Sequence, residues 1–220
     1  MTMDSKERLF DQMLEVASLV YSRNYVVATD GNISVRLPSG NVLISASGKS
    51  LGRLDRNGIV EVTSTGEVIG KGLPSSEMPV HLRTFEIRPD IKAVVHAHPT
   101  NVVALSLAGV KLQPEMLPEV LMTLGDVMET RFAAPSSGAS AEAVGELIGS
   151  SDCVIMSRHG SLTVGTDLWE AFDKLERLEY AAKLTYLSLQ LGGIKPMTED
   201  EIAAVNISAE IYRKRLSAED

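Results

Sequence analysis

Two histidines one residue apart close the apolar run AVVHAH, and a third stands directly before a glycine in CVIMSRHG. Side chains alternate between the two faces of a strand. His96 and His98 therefore point the same way, and Val95 and Ala97 enter the opposite layer. Imidazoles so placed can share one cation, and His159, also following an apolar strand, can supply a third nitrogen. Three neutral imidazoles leave one tetrahedral position open, which is the pattern of a catalytic zinc rather than a structural one. Taken singly, each histidine reads as a hydrogen-bonded residue at a strand end; the set of three favours the metal. Glu77 and His81 stand four apart, so a helix through them puts both on one face. His81 reads as a packing residue or a support for the site before it reads as a ligand. Cys153 lies inside an apolar strand and reads as core. As the chain's only cysteine it excludes an internal disulfide, which fits a cytoplasmic location.

Three stretches of small polar residues, Gly31-Asn32, Ser47-Gly48-Lys49 and Ser75-Ser76, fall between expected elements. Glycine lets backbone N–H groups approach an anion, and serine hydroxyls add donors. Each alone is an ordinary turn; together they can hold a phosphate without clustered arginines. Gly48-Lys49-Ser50 is not a P-loop, because Leu43 stands where the upstream glycine belongs. With 21 basic and 29 acidic residues the net charge is −8, and no stretch concentrates basic residues. That argues against a nucleic-acid surface, and an anionic substrate must be captured locally against the overall field. No run reaches the roughly 20 apolar residues of a membrane span, and MTMDSKERLF has no signal-like apolar core.

The elements that would position these residues can be read from periodicity. The 220 residues suffice for one sizeable core, so a single domain over 1–220 is expected. Asp4 or Ser5 caps a first helix in which Leu9, Met13, Ala17 and Val20 recur at helical spacing. Strands at Ile33–Leu37 and Val42–Ser45 form a hairpin, and Val60–Val62 with Glu67–Ile69 form another. Ser75 or Ser76 is a natural cap for a helix starting near Met78 and Pro79. Thr100 caps a short helix to Leu107, and Ala139–Ile148 is helical. Cys153–Met156 and SLTVG are strands, Asp167 opens a long helix to about Leu191, and Glu199–Leu216 forms a last helix. Residues 109–138 carry no clear period. Hairpins interleaved with helices argue for α/β layers around a mixed or antiparallel sheet.

Gly31-Asn32-Ile33-Ser34, Ser47-Gly48, Ser75-Ser76-Glu77, His96-x-His98 and His159-Gly160 follow one another in the order seen in the class II aldolase/adducin family. The chain resembles that family over about residues 6–190, and within it the L-fuculose-1-phosphate aldolase branch. The resemblance implies a three-layer α/β/α sandwich with a central, largely antiparallel β-sheet, assembled as a homotetramer. It implies one Zn2+ per subunit on His96, His98 and His159, with Mn2+, Co2+ or Fe2+ as open alternatives. It implies Glu77 as acid/base and at times a fourth ligand, and a phosphate pocket from Asn32, Ser47, Gly48, Ser75 and Ser76. The implied reaction is reversible cleavage of a ketose 1-phosphate to dihydroxyacetone phosphate and a small aldehyde, the metal holding the enediolate.

Two departures keep other reactions open. Ser-Ser-Glu, where epimerising relatives resemble Ser-Ser-Asp, favours the aldolase. Yet no tyrosine lies between Tyr25 and Tyr180, although the fuculose aldolase resembles a tyrosine-bearing pattern in the stretch matching LQPEMLPEV. Glu119 is the ionisable candidate there, as an acid/base group or as a solvated loop carboxylate; Tyr212 has no assigned role. A sugar-phosphate decarboxylase, dehydratase or 4-epimerase on the same scaffold is the alternative, and a non-enzymatic adducin-like module the third reading.

Overall fold

The computed structural model describes the backbone of residues 5–216 and the side chains of 6–211. Asp4 and the Tyr212 side chain lie outside the described residues. The chain order is α1 (Ser5–Ser22), β1 (Asn32–Arg36), β2 (Val42–Ser45), β3 (Ile59–Val62), β4 (Val68–Ile69), α2 (Met78–Ile87), β5 (Ala93–Ala97), α3 (Thr100–Ala108), α4 (Pro118–Thr123), β6 (Met128–Glu129), α5 (Gly138–Ile148), β7 (Cys153–Met156), β8 (Gly160–Gly165), α6 (Leu168–Gln190) and α7 (Glu199–Leu216). The strands form one eight-stranded sheet in the order β4-β3-β2-β1-β5-β8-β7-β6. Every pairing is antiparallel except β6 with β7. Among the described residues, no helix is long and apolar enough to cross a membrane.

Alternation along the strands builds three layers. Ile33, Val35, Ala93, Val95 and Ala97 pack on α1 and α6 through Met13, Ala17, Phe172 and Leu175. Val42, Ile44, Val94, Leu162 and Val164 face the other way, against Val80 and Phe85 of α2 and Val144 and Ile148 of α5. A third cluster joins Cys153 and Ile155 of β7 to Val102, Val120 and Leu178 of α3, α4 and α6. Each such large aliphatic side chain, fully buried, contributes about 2 kcal/mol against solvent exposure.

Two expected caps are replaced. Neither Ser75 nor Ser76 caps α2; Glu77 precedes it, and the Ser75 hydroxyl instead accepts the Glu77 N–H at 3.2 Å. Pro79 in the first turn sets where the helix can begin. Thr100 is already helical, with Pro99 before it. The first turn of α3 is capped from a distance by Glu179 of α6, which accepts from the backbone N–H groups of Asn101 and Val102 at 3.0 to 3.1 Å. A carboxylate at a helix start satisfies orphan donors and suits the helix dipole, so tertiary structure takes over a role that local sequence leaves empty. Ser137 and Asp167 do cap α5 and α6 through their side chains.

Candidate active site

The site forms where β5 ends between β1 and β8. Asn32 lies directly across from His96 in the β1–β5 register, and Leu162 lies across on the β8 side. Val95 and Ala97 pack on the α1/α6 face, so His96 emerges on the α2 face. His98 follows the strand's end and is tied by its N–H to the Tyr25 carbonyl at 2.8 Å. His159 sits in the tight β7–β8 turn, where Arg158 takes a left-handed φ of 58°. The glycine after it is required by close approach: a Cβ on Gly160 would lie 2.4 Å from the Ala97 carbonyl oxygen and 2.6 Å from His98 Cδ2. Gly160→Ala is expected to cost about 1–3 kcal/mol by overpacking. It should also displace His98 and weaken zinc binding, which thermal melts and metal titration would show; unchanged zinc affinity would contradict this.

The three rings converge, with centroids 4.7 to 4.9 Å apart and candidate ligand atoms all within 4.8 Å of one another. His96 Nδ1–H donates to the Ser161 carbonyl at 2.9 Å, which leaves the lone pair on Nε2. That Nε2 faces Glu77 Oε2 at 2.7 Å and His98 Nε2 at 3.0 Å. Asp30 Oδ2 lies 3.4 Å from His98 Nδ1 and favours the same tautomer there. His159 Nε2 lies 3.9 Å from Glu77 Oε1. Ring nitrogens gathered this closely around a carboxylate are what a cation resolves. Glu77 Oε1, moreover, is buried with no hydrogen-bond partner among the described residues. The donor set fits a divalent ion of the zinc class, held by His96, His98 and His159 with Glu77 beside it.

Protonation states agree. Burial, with repulsion from His96 and then His159 adding to it, pushes His98 down to about 3. His159 is lowered by burial and by His96. Both are therefore neutral near pH 7, as ligation requires. Burial raises Glu77, but the neighbouring His96 and His159 rings and the Asn32 N–H lower it, and the carboxyl lies below its ordinary range. The competition between burial and neighbouring charge resolves toward the carboxylate.

A cleft of about 170 Å3 opens over the histidines, and Asn32, Ser47, Gly48, Ser75, Ser76, Glu77, His98 and His159 all contribute to its wall. A larger groove of about 710 Å3 beside α2 holds none of the candidate residues, so size is a poor guide here and chemistry the better one. Glu119 is exposed on α4 and is not brought to this cleft within one chain. Asp30, Pro135 and Ser136 were not singled out from the sequence yet line the cleft. Ser136, at a left-handed φ of 58°, donates its hydroxyl hydrogen to Ser76 Oγ at 2.8 Å. The only sequence signal for Ser136 was a small polar run ahead of α5.

His81 is fully buried behind Glu77 and is no ligand; its ring bonds Asn32 on one side and Ser34 Oγ, at 2.6 Å, on the other. Burial pushes it down to about 3, from 6.5 in an unfolded chain. Unfolding between those values takes up a proton, so stability falls as pH drops below about 6.5, by at most about 1.4 kcal/mol per pH unit. Thermal melts of metal-free protein check this; a Tm constant between about pH 7 and 5 would contradict it.

The sequence model of the class II aldolase and adducin N-terminal domain matches residues 11–186. The 3-oxo-tetronate 4-phosphate decarboxylase of Escherichia coli (strain K12) is 34% identical over 205 residues, covering 90% of this chain and 95% of that protein. The L-fuculose phosphate aldolase of Methanococcus maripaludis (strain DSM 14266) is 36% identical over 177 residues, covering 80% of this chain and 95% of that protein. Among solved structures, YgbL from Escherichia coli superposes with a TM-score of 0.86 at 32% identity, over 92% of this chain and 99% of that one. With a family match over most of its length and relatives of this identity, the chain belongs to the class II aldolase and adducin family.

Proposed function

We propose that the protein is a metal-dependent lyase that cleaves a small ketose 1-phosphate to dihydroxyacetone phosphate and an aldehyde. The observation that carries this reading is Glu77: a buried carboxylate with one oxygen unpartnered, set beside three convergent histidines at the floor of a serine- and glycine-lined cleft. A divalent ion held by His96, His98 and His159 would supply Lewis-acid polarisation of a substrate carbonyl. Hydroxyls of Ser47 and Ser76, the left-handed backbone at Gly48 and the Asn32 amide receive the phosphate. Glu77 Oε1 accepts the proton of the hydroxyl on the carbon that becomes the aldehyde. The carbon–carbon bond then breaks, and the same oxygen returns the proton to the carbon left behind. One carboxylate thus balances the proton account, with no call on Glu119.

Decarboxylation of a phosphorylated 3-oxo sugar acid is the second reading, because relatives with that name cover as much as 93% of the chain. Such a substrate brings a carboxylate as well as a phosphate. The described residues lining the cleft include Asp30 and Glu77 and no lysine or arginine, which suits a neutral aldehyde fragment better. The two reactions separate in one experiment: L-fuculose 1-phosphate, other ketose 1-phosphates and 3-oxo-tetronate 4-phosphate are offered with and without chelator. Chelator-sensitive release of dihydroxyacetone phosphate supports the aldolase. Release of CO2 alone overturns it in favour of the decarboxylase. The homotetramer implied by resemblance belongs to the same proposal and is checked by light scattering.

A further inference from the structure

A line of buried polar groups runs from the sheet to the candidate acid/base group, and the chemistry of each member determines its direction. Glu77 is a carboxylate and only accepts, so the group of Asn32 facing its Oε2 at 3.3 Å must be the Nδ2 amide. Asn32 Oδ1 therefore faces the other way, against His81 Nε2. An amide oxygen only accepts, so His81 Nε2 carries the proton. His81 Nδ1 is then bare and accepts the Ser34 hydroxyl hydrogen at 2.6 Å. His81, Ser34 and Asn32 are all buried, and β1 carries both Ser34 and Asn32 on the face that α2 covers. The opposite amide orientation would set an oxygen of Asn32 against the Glu77 carboxylate, two acceptors with no proton between them.

We infer that His81 is a positioning residue: through Asn32 it locks the amide that orients the Glu77 carboxylate against His96. This rests on Glu77 being the acid/base group of the proposed reaction. The His81 side chain does not line the substrate cleft and makes its hydrogen bonds to Asn32 and Ser34 rather than to the three histidines; its contribution is to remove the alternative orientation of Asn32. Hydrogen bonds on both sides of the His81 ring fix geometry in a way that the packing of an apolar residue does not. Loss of such an outer support typically lowers activity by about 10–100-fold.

The direction of the line is testable without turnover. Long-range 1H–15N spectra of histidine-labelled protein, with zinc and after chelation, report which ring nitrogen of His81 is protonated, its signals being assigned by their loss in His81→Phe. The Nε2–H form is expected in both states, and an Nδ1–H form overturns the inference. In zinc-loaded protein, His81→Phe keeps a planar ring, somewhat larger than imidazole, and removes both hydrogen bonds. Its kcat is expected to fall about 10–100-fold, with KM and bound zinc within about twofold of wild type. His81→Gln, whose amide N–H can reach Asn32 Oδ1, should recover part of that loss. Unchanged kcat in His81→Phe overturns the inference. So does a joint fall of kcat, substrate affinity and zinc that His81→Gln does not relieve, since that is a purely structural role. If Glu77→Gln retains wild-type proton exchange, the acid/base reading falls and this inference with it. If Glu77→Gln loses exchange while His81→Phe is unaffected, only this inference falls.

Discussion

Replacing His98 with alanine is expected to strip most of the zinc and nearly all activity from the protein while the fold survives. The ring is half-buried at the strand's end, so its removal leaves a space open to the cleft rather than a sealed cavity. What is lost is one of three converging nitrogens, the one 3.0 Å from His96 Nε2. Removing an outer hydrogen-bond partner of a ligand costs about 10–100-fold in metal affinity, and removing the ligand itself should exceed that. Zinc per chain after dialysis, measured by atomic absorption, gives the answer directly, with circular dichroism as the control for folding. Full zinc content with full activity would mean that the three histidines are a packing cluster and not a metal centre.

Glu77→Gln should separate metal binding from proton transfer. The amide keeps the volume of the carboxylate and can still accept from Asn32 Nδ2, so the wall of the site stays in place. The variant is expected to retain zinc and to lose about 10²–10⁴-fold in proton exchange on dihydroxyacetone phosphate, the range over which a positioned acid/base group acts. The structural reason is Oε1: buried, without a hydrogen-bond partner, and part of a carboxyl that its surroundings keep charged. Solvent-deuterium incorporation measured by NMR checks this. Exchange at the wild-type rate would place the base elsewhere. Glu119 would then need a route to the cleft that one chain does not provide.

Much of the site was legible because its residues carry their meaning in local spacing. His96-x-His98 on a strand predicts a shared face from the twofold repeat alone, and the register of β5 agrees, with Val95 and Ala97 packed on the opposite layer. The strand at Val42–Ser45 and the Asp167 cap of the long helix were readable for the same reason: alternation and capping are local rules. Residues 109–138 were not readable, and they hold a short helix, a two-residue strand and a 3-10 turn, all too brief to show a period. The caps of α2 and α3 were misplaced because a competing partner, Pro79 in one case and the distant Glu179 in the other, outweighs local preference.

The sequence by itself determined which side chains this protein has for binding a cation and an anion, and that a layered α/β fold would carry them. Only the tertiary structure decided how they meet. His159 joins His96 and His98 because β8 pairs with β5 and brings the β7–β8 turn to the end of that strand, across 61 residues of chain counted from His98 to His159. His81 was ambiguous as a residue four places after Glu77. It became a buried link to Asn32 and Ser34 once α2 lay over β1. Asp30 and Ser136 had no spacing to announce them. Hydrogen bonds and side-chain packing are short-range in space and indifferent to separation along the chain. The roles that depend on such contacts therefore appear only when the strands are paired.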